Sequence, residues 1–315
     1  FSRVTLPLKL FGANIKSKKN SLPIIIEGTD FLRPINYVEK KGSAQCKSSV
    51  MLAALNTPGT TKIKAKKSRN HTELLFKYLK LPIKIKTTKN FDLIKVEGLQ
   101  QFNAFNYVIP GDISSSAFFI VLTILTKNSN IRLKNININN SRTGVITILK
   151  KMNCNITLKN KKIYKGEKTA DIVVKSSDKI IGVNCPASLN SSAIDEFLII
   201  FLIAAKANGI SYFSNLSELN QKESPRLKIA AKILKLMGVK LKYNDSSIKI
   251  YGNPNLKLEK KIIVKNFMKD HRVFMMSVIS ALSFGGTWKI FDPISVKTSF
   301  PSFFKKIREI GGNIK

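Results

Sequence analysis

The chain has 315 residues, 43% of them hydrophobic, which is enough for two domains with packed cores and excludes disorder as its default state. No apolar run approaches 18 uncharged residues, so no helical membrane span is expected, and no secretory leader is read at the front. The formal charge of +35 comes from 54 Lys+Arg against 19 Asp+Glu, but only eight are Arg (3, 33, 69, 132, 142, 226, 272, 308) and the Lys is spread evenly, so a lysine-biased surface is expected rather than a nucleic-acid site.

Taken in order, the elements form a repeat. "SRVTLPLKLFGANIK" at Ser2 reads as an amphipathic helix, a Gly/Asn stop and a strand. "SAQCKSSVMLAAL" from Ser43 is a more uniformly apolar helix, followed by the strand "TPGTTKIKA" and an amphipathic helix and strand, "HTELLFKYLKLPIKIK". The same succession returns as "SSSAFFIVLTIL" from Ser114 with "TGVITILKKMNCNITL", as "SAIDEFLIIFLIAA" from Ser192 with "SPRLKIAAKILKLMGVKLK", and as "DHRVFMMSVISAL" from Asp270 with "FPSFFKKIREIGGNIK". The first helices start 71, 78 and 78 residues apart. Nearly all-round apolarity predicts central buried helices, the run Phe197 to Ala205 above all, while spacing at i, i+3, i+4 and i+7 makes the second helices amphipathic. The unit reads strand–helix–strand–helix–strands, an α/β (α+β) class. Because the opening helix lacks its matching first helix, residues missing upstream are expected.

Each repeat places polar side chains at a helix start, where free N–H groups and the helix dipole favour anions. The candidates are Ser43 and Gln45, Arg69 in "SRNHTE", Asp195, the group Lys222, Glu223 and Arg226, and the group Asp270, His271 and Arg272. Structural readings compete: Ser43 as an N-cap, Asp195 as a dipole partner, His271 as a packed histidine, Ser68 or Asn70 as the cap of the helix starting at His71. Asp195 lies in an apolar stretch, so a raised pKa and a role as base are expected. "PGDISS" at Pro110 to Ser115 lacks a Walker lysine and reads as a turn and helix cap. Cys46, Cys154 and Cys185 are far apart with no CxxC spacing, and read as buried thiols of a reducing cytoplasm. No dinucleotide fingerprint, HExxH or nucleophile elbow supports redox or metal chemistry.

"GSAQCKSSVMLAAL", "SRNHTE", "VIPGDISSSAFF", "AIDEF", "KESPR", "DHRVFMM" and "TSFPSFF" stand in an order and spacing that resembles the EPSP synthase (3-phosphoshikimate 1-carboxyvinyltransferase) family, in its second bacterial class, across essentially the whole chain. The resemblance implies a two-lobed, inverse α/β barrel-like fold of about six βαβαββ units, about four and a half of them here. It puts the first lobe at 1–111, the second at 112–315, and the ligands in the cleft between lobes. The implied reaction moves the enolpyruvyl group of phosphoenolpyruvate to the 5-hydroxyl of shikimate 3-phosphate, with no metal or organic cofactor, in a cytoplasmic monomer that binds neither nucleic acid nor membrane. By motif match Asp195 resembles the base and Glu223 the carboxylate that assists proton transfer. Ser43, Gln45, Arg69, Asp195 and Lys222 resemble shikimate 3-phosphate contacts, and Gln45, Arg226 and Arg272 phosphoenolpyruvate contacts.

Pro225 in "KESPR" departs from the family's usual Asp, and Lys297 is one residue off a family lysine and is not carried over. The family's N-terminal Lys-Ser pair, its arginines and its Gly-rich loop are not in this sequence, so little or no activity is expected of the 315 residues alone. Two alternatives stand beside this reading. One is UDP-N-acetylglucosamine enolpyruvyl transferase, which is disfavoured because no Cys precedes Cys46. The other is a non-catalytic basic binding protein on the same fold, which is disfavoured by the retained Asp195, Glu223, Arg226 and Arg272.

Overall fold

The computed structural model of the chain describes residues 2–18 and 21–314. Two compact units emerge: residues up to Ile109 together with Ile163–Glu167, and Pro110–Lys162 together with residues from Lys168 onward.

The first unit begins with α1 (Ser2–Phe11), which buries Pro7 and Phe11. Gly12, at φ +116°, ends it, a conformation L side chains avoid. An antiparallel pair follows, β1 (Asn14–Ser17) and β2 (Ile24–Glu27). The next stretch is a complete repeat: β3 (Asn36–Glu39), α2 (Ala44–Leu55), β4 (Thr60–Lys66), α3 (His71–Tyr78), β5 (Ile83–Thr87) and β6 (Phe91–Glu97). Its sheet runs β3-β4-β6-β5, with β3 and β4 parallel across the α2 crossover and the other pairs antiparallel. Strict alternation in "TTKIKAK" puts Thr61, Ile63 and Ala65 on the core and the lysines in water. They meet Val50, Met51 and Ala54 of α2 and Phe76 of α3. At the far end of α2 the chain passes so close that a Cβ on Gly98 would stand 1.6 Å from the Thr57 carbonyl oxygen. Only glycine fits there.

The second unit runs through the order twice and then through strand, helix, strand and helix. Its elements are α4 (Ile113–Leu125), β7 (Asn130–Asn137), α5 (Gly144–Lys151), β8 (Ile156–Tyr164) and β9 (Glu167–Lys175); then α6 (Asn190–Ala193), α7 (Phe197–Lys206), β10 (Ile210–Phe213), α8 (Arg226–Leu236), β11 (Lys240–Tyr243) and β12 (Ile248–Tyr251); then β13 (Leu258–Val264), α9 (His271–Phe284), β14 (Gly285–Ile290) and α10 (Phe303–Glu309). The sheets run β7-β9-β8, β10-β12-β11 and β13-β14, the last pair parallel. In the first two repeats the leading strand shrinks to parallel bridges, Gly111 to Ile136, then Ile181 to Asn208 and Asn184 to Tyr212.

Helices α4, α7 and α9 pack on one another and form the centre of one continuous core. All of α4 but Ser115 is buried, as is α7 from Phe197 to Ala205. Burying the large side chains of α7 contributes about 10–20 kcal/mol, an upper bound from transfer energies. Among the described residues no helix is long and apolar enough to cross a membrane. All three cysteines are free and buried. Burial pushes the Cys154 thiol up to about 12 and the Cys185 thiol up to about 11, so both are packing residues.

Candidate active site

In the first unit the candidate residues sit at two neighbouring helix starts. Ser43 caps α2, its Oγ accepting from the Cys46 amide at 3.3 Å. Gln45 follows in the first turn and is exposed. Arg69 stands just ahead of α3, where Asn70 takes the cap position without a side-chain bond to the helix. Behind these starts Lys47 Nζ lies 2.5 Å from Glu73 Oε1, with side chains 0% and 4% exposed. Beside that pair the Ser48 and Thr72 hydroxyls are 2.7 Å apart. Two side-chain links thus fix α2 against α3 and set the spacing of Ser43 and Gln45 from Arg69. His71 is drawn aside by Glu167, Nδ1 to Oε1 2.5 Å.

In the second unit Asp195, Lys222, Glu223, Arg226 and Arg272 form one charged network. Arg226, the first residue of α8 and only 1% exposed, is its hub. Its Nε donates to Asp270 Oδ2 at 2.8 Å and its Nη2 to Asp270 Oδ1 at 3.3 Å, a two-point grip that fixes the plane of the guanidinium. Nη2 also lies 2.5 Å from Glu223 Oε2, and Nη1 3.5 Å from Asp195 Oδ1. Lys222 Nζ is 3.8 Å from Asp195 Oδ1, and Arg272 Nη2 3.9 Å from Asp195 Oδ2. The donors of Arg226 thus face the carboxylates of Asp270, Glu223 and Asp195, of which Glu223 is the exposed one.

Asp270 was read as one of a helix-opening group. It is the brace of the site: fully buried, it caps α9 through the Arg272 amide at 2.9 Å and accepts from Ser224 Oγ at 2.8 Å. Burial pushes its carboxyl up, but the Arg226 hydrogen bonds and charge, with Ser224 and the Arg272 amide, hold it below its ordinary value. Its stabilising effect is therefore complete above about pH 4 and lost as pH falls through the depressed value. Urea unfolding from about pH 6 down to pH 3 should show stability falling, and Asp270→Asn should flatten that dependence. His271 is half-buried and its pKa is lowered by burial and then by Arg272, which fits a neutral packed histidine.

One expectation for Asp195 is corrected. It does not lie in the first turn of a continuous helix, because α6 ends at Ala193 and α7 begins at Phe197. The Asp195 carbonyl accepts from Arg272 Nη1 at 3.1 Å, while the Ile199 amide bonds the Glu196 carbonyl, so the helical ladder is interrupted there. Lys222, Arg226 and Arg272 place three cations within 4 Å of the Asp195 carboxyl oxygens. The carboxyl raised by burial is its neighbour, Glu196.

The sequence reading assigns nothing to Lys47, Glu73, Arg142 and Glu196, and reads Asp112 and Ser114 only as part of a turn and helix cap. One signal was available for Arg142, which stands at the start of a second helix, as Arg69 and Arg226 do. Asp112 does cap α4, through the Ser115 amide at 2.9 Å, and its Oδ1 also accepts from Arg142 Nη2 at 2.5 Å. Among the described residues no group of three His, Cys, Asp or Glu is arranged to hold a metal.

Residues 1–307 match the family model of EPSP synthase (3-phosphoshikimate 1-carboxyvinyltransferase). The protein named 3-phosphoshikimate 1-carboxyvinyltransferase from Endomicrobium trichonymphae is 37% identical over 98% of this chain and 70% of its own length. That of Ruthia magnifica is 39% identical over 99% of this chain and 70% of its own length. The solved EPSP synthase of Acinetobacter baumannii superposes with a TM-score of 0.88 at 33% identity, covering all of this chain and 71% of that one. The enolpyruvyl transferase NikO of Streptomyces tendae shares the fold alone, at 13% identity and a TM-score of 0.74. The chain therefore belongs to the EPSP synthase family.

Proposed function

We propose that this chain moves the enolpyruvyl group of phosphoenolpyruvate onto the 5-hydroxyl of shikimate 3-phosphate and releases phosphate. The observation that carries the reading is Asp195, a carboxylate surrounded by Lys222, Arg226 and Arg272 and only 13% exposed. Asp195 takes the proton of the 5-hydroxyl as that oxygen attacks the second carbon of phosphoenolpyruvate. Glu223 assists protonation of the methylene carbon, giving a tetrahedral adduct with a methyl group. Loss of a methyl proton with departure of phosphate restores the double bond. Arg226 and Arg272 hold the carboxylate and phosphate of phosphoenolpyruvate, with Gln45 touching both substrates. Ser43, Arg69 and Lys222 hold shikimate 3-phosphate. The cations stabilise charge developing on the adduct, in a setting drier than water. Pro225 takes the cap position of α8 and leaves Arg226 first in the helix, so its effect is on position. Three free buried thiols support a cytoplasmic protein.

The test is binding followed by turnover. Shikimate 3-phosphate at a hundred times its Kd should stabilise the purified protein by about 2.7 kcal/mol in thermal melts. Phosphate release should require both substrates, and near-normal turnover would overturn the expectation that these 315 residues alone have little or no activity. No shift with millimolar shikimate 3-phosphate, alongside a shift with UDP-N-acetylglucosamine, would reverse the assignment of substrate.

A further inference from the structure

Behind Asp195 lies a second polar chain that the reaction as described does not use. Glu196 is 3% exposed, and its side chain meets the first turn of α4. Its Oε1 accepts a short hydrogen bond from Ser114 Oγ, a hydroxyl with no exposed surface in the first turn of α4. Ser114 Oγ in turn accepts from Arg142 Nη2 at 2.7 Å, and Arg142 Nη2 also reaches Asp112 Oδ1 at 2.5 Å. The sequence Asp112, Arg142, Ser114, Glu196 therefore joins the starts of α4, α5 and α7. It ends one residue from the proposed base, at the place where the helix is interrupted.

Two consequences follow from this placement. Glu196 anchors the break mechanically: its carbonyl accepts from the Ile199 and Ile200 amides at 3.1 and 3.0 Å, and its side chain is tied to α4. Asp195 is thereby held out of the ladder, and its own carbonyl is left for Arg272. Glu196 also acts electrically. The charged groups around it are Arg272 of α9, Asp195 beside it and Arg142 ahead of α5, with Asp112 beyond Arg142. A carboxylate buried among these alters the field at both Asp195 and Arg272 when it gains or loses its proton.

We propose that Glu196, held by Ser114 and Arg142, is a positioning residue that aims Asp195 and couples a second ionisation to it. The inference rests on the reading of Asp195 as the base. The variant Glu196→Gln keeps the hydrogen-bond acceptor for Ser114 and removes the charge, whereas Glu196→Ala removes both. Turnover of the purified protein should fall about 10–100-fold in Glu196→Ala, with KM for both substrates nearly unchanged, because a small misplacement of a reacting group has effects of that size. Glu196→Gln should recover most of that loss. The kcat pH profile of the natural protein should carry the ionisation of Glu196, which burial raises, and Glu196→Gln should lose it.

A Glu196→Gln profile that superimposes on that of the natural protein overturns the inference, as does a Glu196→Ala kcat within twofold of it. Circular dichroism of Glu196→Gln, the near-isosteric variant, keeps the pH comparison free of folding losses. Asp195→Asn is run in parallel. Near-normal turnover in that variant overturns the base assignment itself, whereas its collapse with an unmoved Glu196→Gln profile overturns this inference alone.

Discussion

Asp195→Asn is expected to cut kcat by about 10²–10⁴-fold, the range for loss of a positioned proton acceptor, with shikimate 3-phosphate still stabilising the protein in melts. Asn is nearly isosteric, and the backbone carbonyl that bonds Arg272 Nη1 at 3.1 Å is untouched by the change. What changes is the charge facing Lys222, Arg226 and Arg272. Without it these cations repel one another more strongly and hold anionic ligands at least as well, so KM should stay level or fall. A lowered kcat with an unchanged or lowered KM separates lost chemistry from lost binding. A kcat within tenfold of the natural value would move the role of base to another residue of the network.

Lys47→Met should give the largest loss of stability, about 3–5 kcal/mol, because it leaves Glu73 buried and unpaired. In a domain of this size that lowers the unfolding midpoint by more than about 10 °C. The double variant Lys47→Met, Glu73→Met should recover most of the loss, since well-packed apolar side chains commonly replace a buried ion pair without penalty. Recovery by the double variant locates the effect in the pair, whereas equal losses in single and double variants would assign it to packing around Lys47. Thermal denaturation followed by circular dichroism reads both.

The repeat was legible because its signals are local. Uniform apolarity marked α4 and α7, two-residue alternation marked β4, and Ser43, Asp112 and Asp270 announced their caps. The interruption at Asp195 was not legible, because it depends on Arg272, 77 residues away in the chain. Arg226 looked available in sequence because its acids are dispersed, Asp270 being 44 residues on. Lys47 and Glu73 sit in ordinary helical sequence, and only packing reveals that both lack solvent. The leading strands of two repeats were likewise unreadable, since bridges such as Gly111 to Ile136 are too short to impose a pattern. Family resemblance supplied candidate roles for Asp195 and Glu223, and geometry then supplied their neighbours.

The mutual packing of α4, α7 and α9 has a consequence for how this protein can change over evolutionary time. In an open array of repeats, a copy can be gained or lost at an end because each touches only its neighbours. Here every central helix touches both others, so the second unit has no terminal copy to shed and no free face on which to stack another. Loss of any one copy would expose the apolar surface of the remaining two and melt the unit as a whole. Variation in length is thereby directed to exposed hairpin turns, such as Asn244-Asp245 between β11 and β12, while the number of copies is locked by geometry.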